Sequence, residues 1–478
     1  MQQPKLYQLL STFSKKEIRA FLLFLQSPYF NKSDPLLRLY EVIKPYYPHF
    51  NSPRLTKENI YKKLKLSSPF NEKFINDRSS DLSKLVEIFM AIHLVKTDDD
   101  LKRQMLRKSL RQHQLDQIFV AETKKAILEL EQNPTNDWRQ AQKFWDLKYD
   151  LFLHPQTKKW NSEKDVATEM IHYLDESYVI LKLRYGFHHK TWGNIFKDSK
   201  DGLFLKEIIA YAQTSTHPVI KLYLLLLATF EVANVEKAWK KAHKFYQKNL
   251  KQFSPEDQLA GLLGLINRGY KIALGGKPSF HKTNLQLFKF GLEKKILLPE
   301  GQLSEQAFKN IVLLGSVTKE FDWTRKFMEK YQPLLPPGHN PNLVYLSHAY
   351  LAFYSKKYDL CDQLLKKNAA MDTRDKLNYK SLELRCLYEQ YCIHKKDLNF
   401  LLGIINNYEQ FLQRSKKDLS KSTIKAYQNF VYLVKRLAKI KHLSIIDRRA
   451  GKKKIKAELP KRLLCMSAEW LKEKIEEL

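Results

Sequence analysis

The side chains best suited to chemistry in this sequence are lysines and arginines near its C-terminal end. From Arg414 to Arg462 there are 17 basic and three acidic residues, which gives this segment a net charge of +14. Ammonium and guanidinium groups at this density bind the phosphates of a polyanion without reading its sequence. The candidate polyanion-binding residues are Lys435, Arg436, Lys439, Arg448, Arg449, Lys452, Lys453, Lys454 and Lys456.

Two neighbouring segments carry these candidate residues. From Thr423 to Ile440, apolar residues recur every three or four positions beside the lysines, which predicts an amphipathic helix. We expect its apolar face to pack against the preceding helices rather than against a membrane surface. The run from Arg448 to Lys456 contains Gly451 and is predicted to be exposed and flexible. A solvated, lysine-rich face without a ligand is the alternative interpretation of both segments.

Residue types that serve catalysis or metal binding are present, but their spacing is unfavourable. His188 and His189 are adjacent, so on a helix their rings point away from each other. Cys386, Cys392 and His394 lack the spacing of a zinc knuckle, and no HExxH or GxSxG motif occurs. Glycine accounts for only 14 of 478 residues, and no glycine cluster has the spacing of a phosphate-binding loop. We therefore predict a non-enzymatic protein without metal or cofactor; a catalytic site assembled from scattered residues is the alternative.

The overall composition bounds the environment of the protein. The formal net charge of +32 attracts polyanions but does not determine a fold. Four cysteines without a CxxC pair favour a reducing compartment. The longest apolar stretch, Leu222 to Phe230, has nine residues, whereas a membrane span needs about 20. The composition therefore predicts a soluble, cytoplasmic protein without a membrane span.

A helix-turn-helix cadence near the N-terminus suggests a second way to bind nucleic acid. Two predicted helices, Lys57 to Leu64 and Asn71 to Ile92, are separated by a turn longer than the three to four residues of the DNA-binding motif. The second helix also carries Asp77 and Asp81, whose carboxylates repel phosphate. These features favour a helical cap at the start of a larger helical array over a DNA-reading helix.

Hydrophobic periodicity predicts helices along the whole chain, and strand signals are nearly absent. The predicted class is therefore all-α, and Ser14, Thr56 and Asn71 are expected to cap helices near the N-terminus. Four segments are predicted: an N-terminal helical module at 1–97, irregular helical pairs at 98–217, helical repeats at 218–442, and a basic segment with a C-terminal capping helix at 443–478.

The clearest repeated unit is a pair of helices separated by a short polar break that contains an aromatic residue. The break residues Phe321, Tyr358 and Leu398 lie 37 and 40 positions apart, between the periods of tetratricopeptide repeats and of HEAT or armadillo repeats. Residues 305–368 resemble tetratricopeptide repeats. The matching residues are Phe308 and Tyr345 in the first helices, Ala349 at the small position, Phe321 and Tyr358 at the breaks, Thr324 and Cys361 in the second helices, and the terminal Pro336. His348 and Asn368 depart from the pattern.

This resemblance implies a right-handed superhelix of stacked helix pairs whose concave groove binds a peptide or protein segment. We expect Phe321 and Tyr358 to be buried between helices. The N-terminal block resembles uncharacterised bacterial helical proteins, a likeness that implies no function. We therefore predict a non-enzymatic scaffold that binds a protein or peptide partner through its helical-repeat surface. Sequence-independent binding of RNA or DNA by the basic C-terminal region is the alternative hypothesis.

Overall fold

The computed structural model describes residues 4–66, 68–152, 154, 160–193, 204–231, 234–367, 373–394, 397–461 and 465–478. Asn368 and Arg462, named above, lie outside these residues, as does the side chain of His394. Within the described ranges the secondary structure is helical and contains no β-strand. The predicted all-α class is confirmed.

The chain forms two compact units, 1–126 and 127–478. The first unit contains α1 Lys5–Ser11, α2 Lys15–Gln26, α3 Asp34–Ile43, α4 Lys57–Lys63, α5 Glu72–Thr97, α6 Asp99–Gln112 and the larger part of α7 Asp116–Gln132. The predicted boundary at residue 97 coincides with the junction of α5 and α6, where the Asp98 side chain accepts a hydrogen bond from the Leu101 amide at 2.9 Å. The compact units themselves divide later, within α7.

Side-chain hydrogen bonds cap the starts of α2, α4 and α5 in the first unit. Ser14 begins α2 with a capping box, in which its hydroxyl accepts from the Glu17 amide at 3.2 Å and its own amide donates to the Glu17 carboxylate at 2.7 Å. The caps of α4 and α5 each use a single hydrogen bond, in which the side chain of Thr56 or Asn71 accepts from the amide three residues later. All three predicted caps are confirmed.

Aromatic side chains fill the core of the first unit. Phe21 and Tyr40 are fully buried and meet edge to face, with ring centroids 5.0 Å apart. The Tyr40 hydroxyl donates to the Ile18 carbonyl at 2.9 Å, which satisfies a buried polar group and ties α3 to α2. Burial also raises the pKa of Tyr40, so the phenol stays protonated and remains a donor.

The second unit contains the rest of α7 and sixteen further helices among the described residues. They are α8 Trp138–Phe152, α9 Trp160–Gly193, α10 Leu205–Ala212, α11 Pro218–Ala228, α12 Val235–Asn249, α13 Pro255–Leu274, α14 Ser279–Glu293, α15 Glu305–Val317, α16 Phe321–Tyr331, α17 Pro341–Tyr354, α18 Tyr358–Lys366, α19 Thr373–His394, α20 Leu398–Arg414, α21 Lys421–Lys441, α22 Ile445–Glu458 and α23 Ala468–Glu476.

Helices of the second unit pack against their sequence neighbours and also against the next helix but one. Thus α9 contacts α11, α15 contacts α17, α17 contacts α19, and α19 contacts α21. Stacking of this kind buries faces that isolated helix pairs leave exposed. Within a pair the approach is close: a Cβ added at Gly315 of α15 would lie 2.1 Å from the Thr324 Oγ1 of α16.

The two break aromatics of the repeat-like units are less buried than predicted. Phe321 and Tyr358 are each partly exposed, whereas Thr324 and Cys361, three residues later, are completely buried. The expectation that both rings are buried between helices holds only in part, because each aromatic residue is the first residue of its helix, where the ring borders the turn. Tyr358 still contacts the core, since its ring lies edge to face with Phe353 at 5.6 Å.

The last three helices form a packed terminus. The apolar face of α21 is buried, as predicted for the segment from Thr423 to Ile440, and Trp470, Leu471 and Ile475 of α23 are buried with it. The run from Arg448 to Lys456 was predicted to be flexible. In the structure it instead belongs to the helix α22. Gly451 lies at the contact of this helix with α21: a Cβ there would lie 2.9 Å from the Ile440 side chain, so glycine lets the two helices pack closely.

Candidate functional site

Three of the nine candidate cations make contacts that connect neighbouring helices. The Arg436 guanidinium of α21 donates to the Glu458 carboxylate of α22 at 2.6 Å. Lys435 pairs with Glu409 of α20 at 3.0 Å. Arg448 donates to the backbone carbonyls of Lys441 and Leu443 at 3.0 and 3.3 Å, at the end of α21. These contacts hold α20, α21 and α22 together, so the three cations are only partly available to a ligand.

Two further lysines bind the last helix. Lys456 pairs with the Glu476 carboxylate at 2.5 Å, and Lys452 donates to the Glu476 backbone carbonyl at 2.6 Å. The hydrogen bond from Lys456 lowers the pKa of Glu476, so this carboxylate stays ionised. Lys456 and Glu476 are nevertheless both well exposed, and solvent screens an ion pair of this kind strongly. A stronger anion can therefore compete for it.

The remaining four candidates are exposed and unpaired. Lys439 lies on α21, and Arg449, Lys453 and Lys454 lie on α22. Throughout the part of the chain that the structure describes, none of the four has a carboxylate within ion-pair distance. Arg449 and Lys453 are four residues apart and so lie on one face of α22. Both side chains are exposed.

Exposed apolar residues lie beside these cations, and the sequence analysis missed them. Leu443 ends the turn before α22, and Ile445 and Ile446 begin the helix with 70% and 81% of their surface exposed. Ile445 precedes Arg449 by one helical turn, while the buried Ile455 faces α21. We call Leu443, Ile445, Ile446, Arg449 and Lys453 the C-terminal surface.

A signal for this patch was present in the sequence. Neither Ile445 nor Ile446 is followed by a large apolar residue three, four or seven positions later, so neither belongs to a helical stripe. Single exposed apolar residues are normal on a protein surface. Three within four positions, with the exposed cations Arg449 and Lys453 one and two turns further along α22, are an arrangement of the kind that marks interaction sites.

A buried charged cluster of the second unit is centred on the carboxylate of Asp257. Asp257 is fully buried and accepts hydrogen bonds from Arg184 at 2.5 Å, Tyr223 at 2.7 Å and Ser254 at 2.8 Å. Burial and the neighbouring Asp257 carboxylate raise the pKa of Tyr223, which keeps the phenol protonated as a donor. A carboxylate with three donors is suited to holding α9, α11 and α13 together rather than to acid–base chemistry.

Histidine and acidic residues do not assemble into a metal centre in the described ranges. No group of three or more histidine, cysteine, aspartate or glutamate side chains there could hold a metal ion. Burial lowers the pKa of His188, which favours its neutral form. His172 and His217 both approach Glu176, at 3.7 and 3.6 Å, but these three residues lack metal-binding geometry.

Three basic side chains of the helix-turn-helix candidate are paired with carboxylates in the structure. Lys57 pairs with Glu72 at 2.6 Å, and Lys84 pairs with Asp81 at 3.1 Å. Arg78 lies 3.7 Å from the same Asp81 carboxylate. Because these carboxylates offset the charge of Lys57, Arg78 and Lys84, the three side chains attract phosphate less than free cations do.

Comparisons with known proteins supply no relative. No protein-family model, curated protein sequence or solved structure matches this chain. Among the described helices, none combines the length and the apolar composition required to cross a lipid bilayer.

Proposed function

We propose that this protein is a non-enzymatic interaction protein whose C-terminal surface binds an acidic and apolar segment of a partner polypeptide. The observation that supports the proposal is the joining of two features on one helix face. Ile445 and Ile446 offer exposed apolar area, and Arg449 and Lys453 offer unpaired charge one and two turns further along α22. A partner segment with apolar side chains followed by carboxylates satisfies both features.

The apolar component favours a polypeptide over a nucleic acid. Phosphate backbones attract cations, and bases stack on aromatic or guanidinium planes, so sequence-independent binding of a single strand gains little from exposed isoleucine. Burial of one isoleucine side chain contributes about 1.5–3 kcal/mol, whereas an exposed ion pair contributes about 0–1 kcal/mol. We therefore expect Ile445 and Ile446 to supply most of the affinity, and Arg449 and Lys453 to supply orientation and association rate.

The second unit acts in this proposal as a tetratricopeptide-like scaffold that presents the surface. Support comes from the pairs α15–α16 and α17–α18, in which small or buried residues occupy the close contacts. Gly315 faces Thr324, and Ala349 and Cys361 are fully buried. A helix array with such contacts is rigid, which lowers the entropic cost of binding on its surface.

The proposal is tested by fluorescence anisotropy with probes of equal negative charge. The first is a labelled peptide of repeated Leu-Leu-Glu-Glu, the second is poly-L-glutamate, and the third is single-stranded DNA. At about 150 mM salt, where the Debye length is about 8 Å, we expect the Leu-Glu peptide to bind at least roughly ten-fold more tightly than the other two. We expect the protein to bind only weakly to vesicles that contain phosphatidylserine, as measured by co-sedimentation.

Matched variants separate the two components of the surface. Replacing Ile445 and Ile446 together by Ser should weaken peptide binding by roughly ten-fold or more, while the control Ile393→Ser, also at an exposed isoleucine, should leave it unchanged. Binding of DNA with a steep salt dependence, unaffected by the Ile445 and Ile446 changes, would favour sequence-independent nucleic-acid binding instead. Vesicle binding that depends on these isoleucines would assign the surface to membranes.

A further inference from the structure

Helix α9 is apolar on two opposite faces. Its inner face carries the buried residues Val179, Ile180, Leu183 and Phe187, which pack into the core of the second unit. Its outer face carries four large apolar residues, Ile171, Leu174, Tyr178 and Tyr185, with 44% to 62% of their surface exposed. A surface helix ordinarily has one apolar face and one polar face. A helix with two apolar faces needs a second packing partner to cover the exposed one.

The outer residues follow the spacing of a coiled-coil seam. Together with the half-buried Leu181, they lie at intervals of three, four, three and four residues along two heptads. We call Ile171, Leu174, Tyr178, Leu181 and Tyr185 the outer stripe. Two seams of this spacing interlock side by side, since each side chain enters a gap between four residues of the facing helix. The spacing therefore specifies a helix as the occupant.

Two charged residues beside the outer stripe are self-complementary. Asp175 directly follows Leu174, and Lys182 directly follows Leu181, so both occupy the same position of successive heptads. Among the described residues neither has an ion-pair partner. In an antiparallel pair of α9 helices with its two-fold axis near Tyr178, Asp175 of each copy faces Lys182 of the other. A parallel pair does not bring these two charges together.

We infer that the outer stripe of α9 is an interface with a second copy of this chain, packed antiparallel across a two-fold axis near Tyr178. An isologous interface needs one patch that complements itself. The seam spacing supplies the apolar match, and the Asp175–Lys182 pair supplies the charge match in both halves. An unrelated helix could match the apolar spacing, but only by coincidence would it also place a lysine opposite Asp175 and a carboxylate opposite Lys182.

The mass of the full chain in solution tests this interface. Sedimentation velocity and light scattering are expected to show a dimer that dissociates on dilution. Tyr178→Lys places a charge on the two-fold axis and should give a monomer, while Tyr29→Lys, at an exposed tyrosine of the first unit, should remain dimeric. Circular dichroism serves as the folding check, since both changes are at exposed positions. A wild-type chain that is monomeric at about 100 μM, or a dimer insensitive to Tyr178→Lys, overturns the inference.

Charge reversal tests the antiparallel arrangement independently of packing. Asp175→Lys and Lys182→Asp, made separately, place like charges opposite each other and should each weaken the dimer roughly ten-fold or more. The chain with both reversals restores complementary pairs and should dimerise like the original. A mixture of the two single variants should form the mixed dimer in preference to either homodimer. Equal dimerisation of all four forms overturns the antiparallel interface.

Discussion

The indole Nε1 of Trp470 donates a hydrogen bond to the Glu389 carboxylate at 2.7 Å. This contact joins α23 to α19 across 81 positions of the chain, and both side chains are buried. The Lys474 ammonium lies 2.9 Å from the same carboxylate. One buried carboxylate thus holds two side chains of the last helix.

Removal of the Trp470 ring should destabilise the second unit. Trp470→Ala deletes a buried aromatic side chain and leaves Glu389 with one donor fewer, so we expect a loss of about 3–5 kcal/mol. Trp470→Phe retains most of the apolar volume and loses mainly the hydrogen bond, for which we expect a loss of about 1–3 kcal/mol. Urea unfolding of the full chain measures both, and equal losses for Ala and Phe would contradict the role given to the ring.

A single methyl group should distinguish a packed glycine from a free one. Gly315→Ala drives a Cβ into Thr324, so we expect a destabilisation of about 1–3 kcal/mol. Gly403 lies inside α20 with no atom near its added Cβ, so Gly403→Ala should stabilise by about 0.5–1 kcal/mol. Adding Thr324→Ala to Gly315→Ala should recover part of the loss. Thermal unfolding measures the order of stability of these variants. Equal effects of Gly315→Ala and Gly403→Ala would contradict the prediction.

The Lys309–Asp375 pair should behave as a coupled buried unit. Lys309 of α15 is buried, and its ammonium binds the buried Asp375 carboxylate of α19. Asp375→Asn leaves a buried ammonium without its counter-charge, for which we expect a cost of about 3–5 kcal/mol. Changing Lys309 to Met at the same time should cost less than Asp375→Asn alone. A double-mutant cycle measured by urea unfolding tests this, and additive losses would argue against direct coupling.

Stability should fall as the pH is lowered below about 6.5. Burial lowers the pKa of five histidines of the second unit, which are His188, His217, His243, His281 and His348. In the unfolded chain these histidines bind protons at about pH 6.5, whereas in the folded chain burial shifts their protonation to lower pH. Their contribution to stability is therefore complete above that pH and is lost as the pH falls towards the lowered values.

One histidine offers a specific test of this pH dependence. The His243 ring contacts the Trp239 ring at a tilt of 40° with centroids 4.9 Å apart, and its buried Nε2 has no hydrogen-bond partner in the described structure. His243→Phe retains an aromatic ring against Trp239 but cannot titrate, so the free energy of unfolding should fall less steeply between about pH 7 and 5. His172→Gln, at a largely exposed histidine, is the control. Unchanged slopes in both variants would exclude His243 as a contributor.

Local features of the fold were predictable from the sequence, whereas long-range contacts were not. The caps at Ser14, Thr56 and Asn71 follow from residues within one helical turn. The helix α22 was predicted as a flexible run because Gly451 weakens helices in isolation. Its close contact with Ile440, which makes glycine necessary there, depends on the packing of two helices and has no local signature.

The candidate site was predicted in part. The sequence located the basic segment, but it did not distinguish cations that bind the fold, such as Arg436, from free ones such as Arg449. The distinction depends on where Glu458 and other carboxylates lie after folding. The exposed Ile445 was missed because large apolar residues are usually buried, although its lack of apolar neighbours at helical spacing was a signal in the sequence.

The attachment of α23 to α19 has a consequence for the order in which the protein folds during synthesis. Trp470, Leu471 and Ile475 complete a core whose other residues, including Tyr388 and Phe430, precede them in the chain. A ribosome makes the chain from its N-terminal end, at about 5–20 residues per second. Apolar surface on α19 and α21 therefore stays uncovered until the last of these residues emerges, and this core closes only after translation of residue 475.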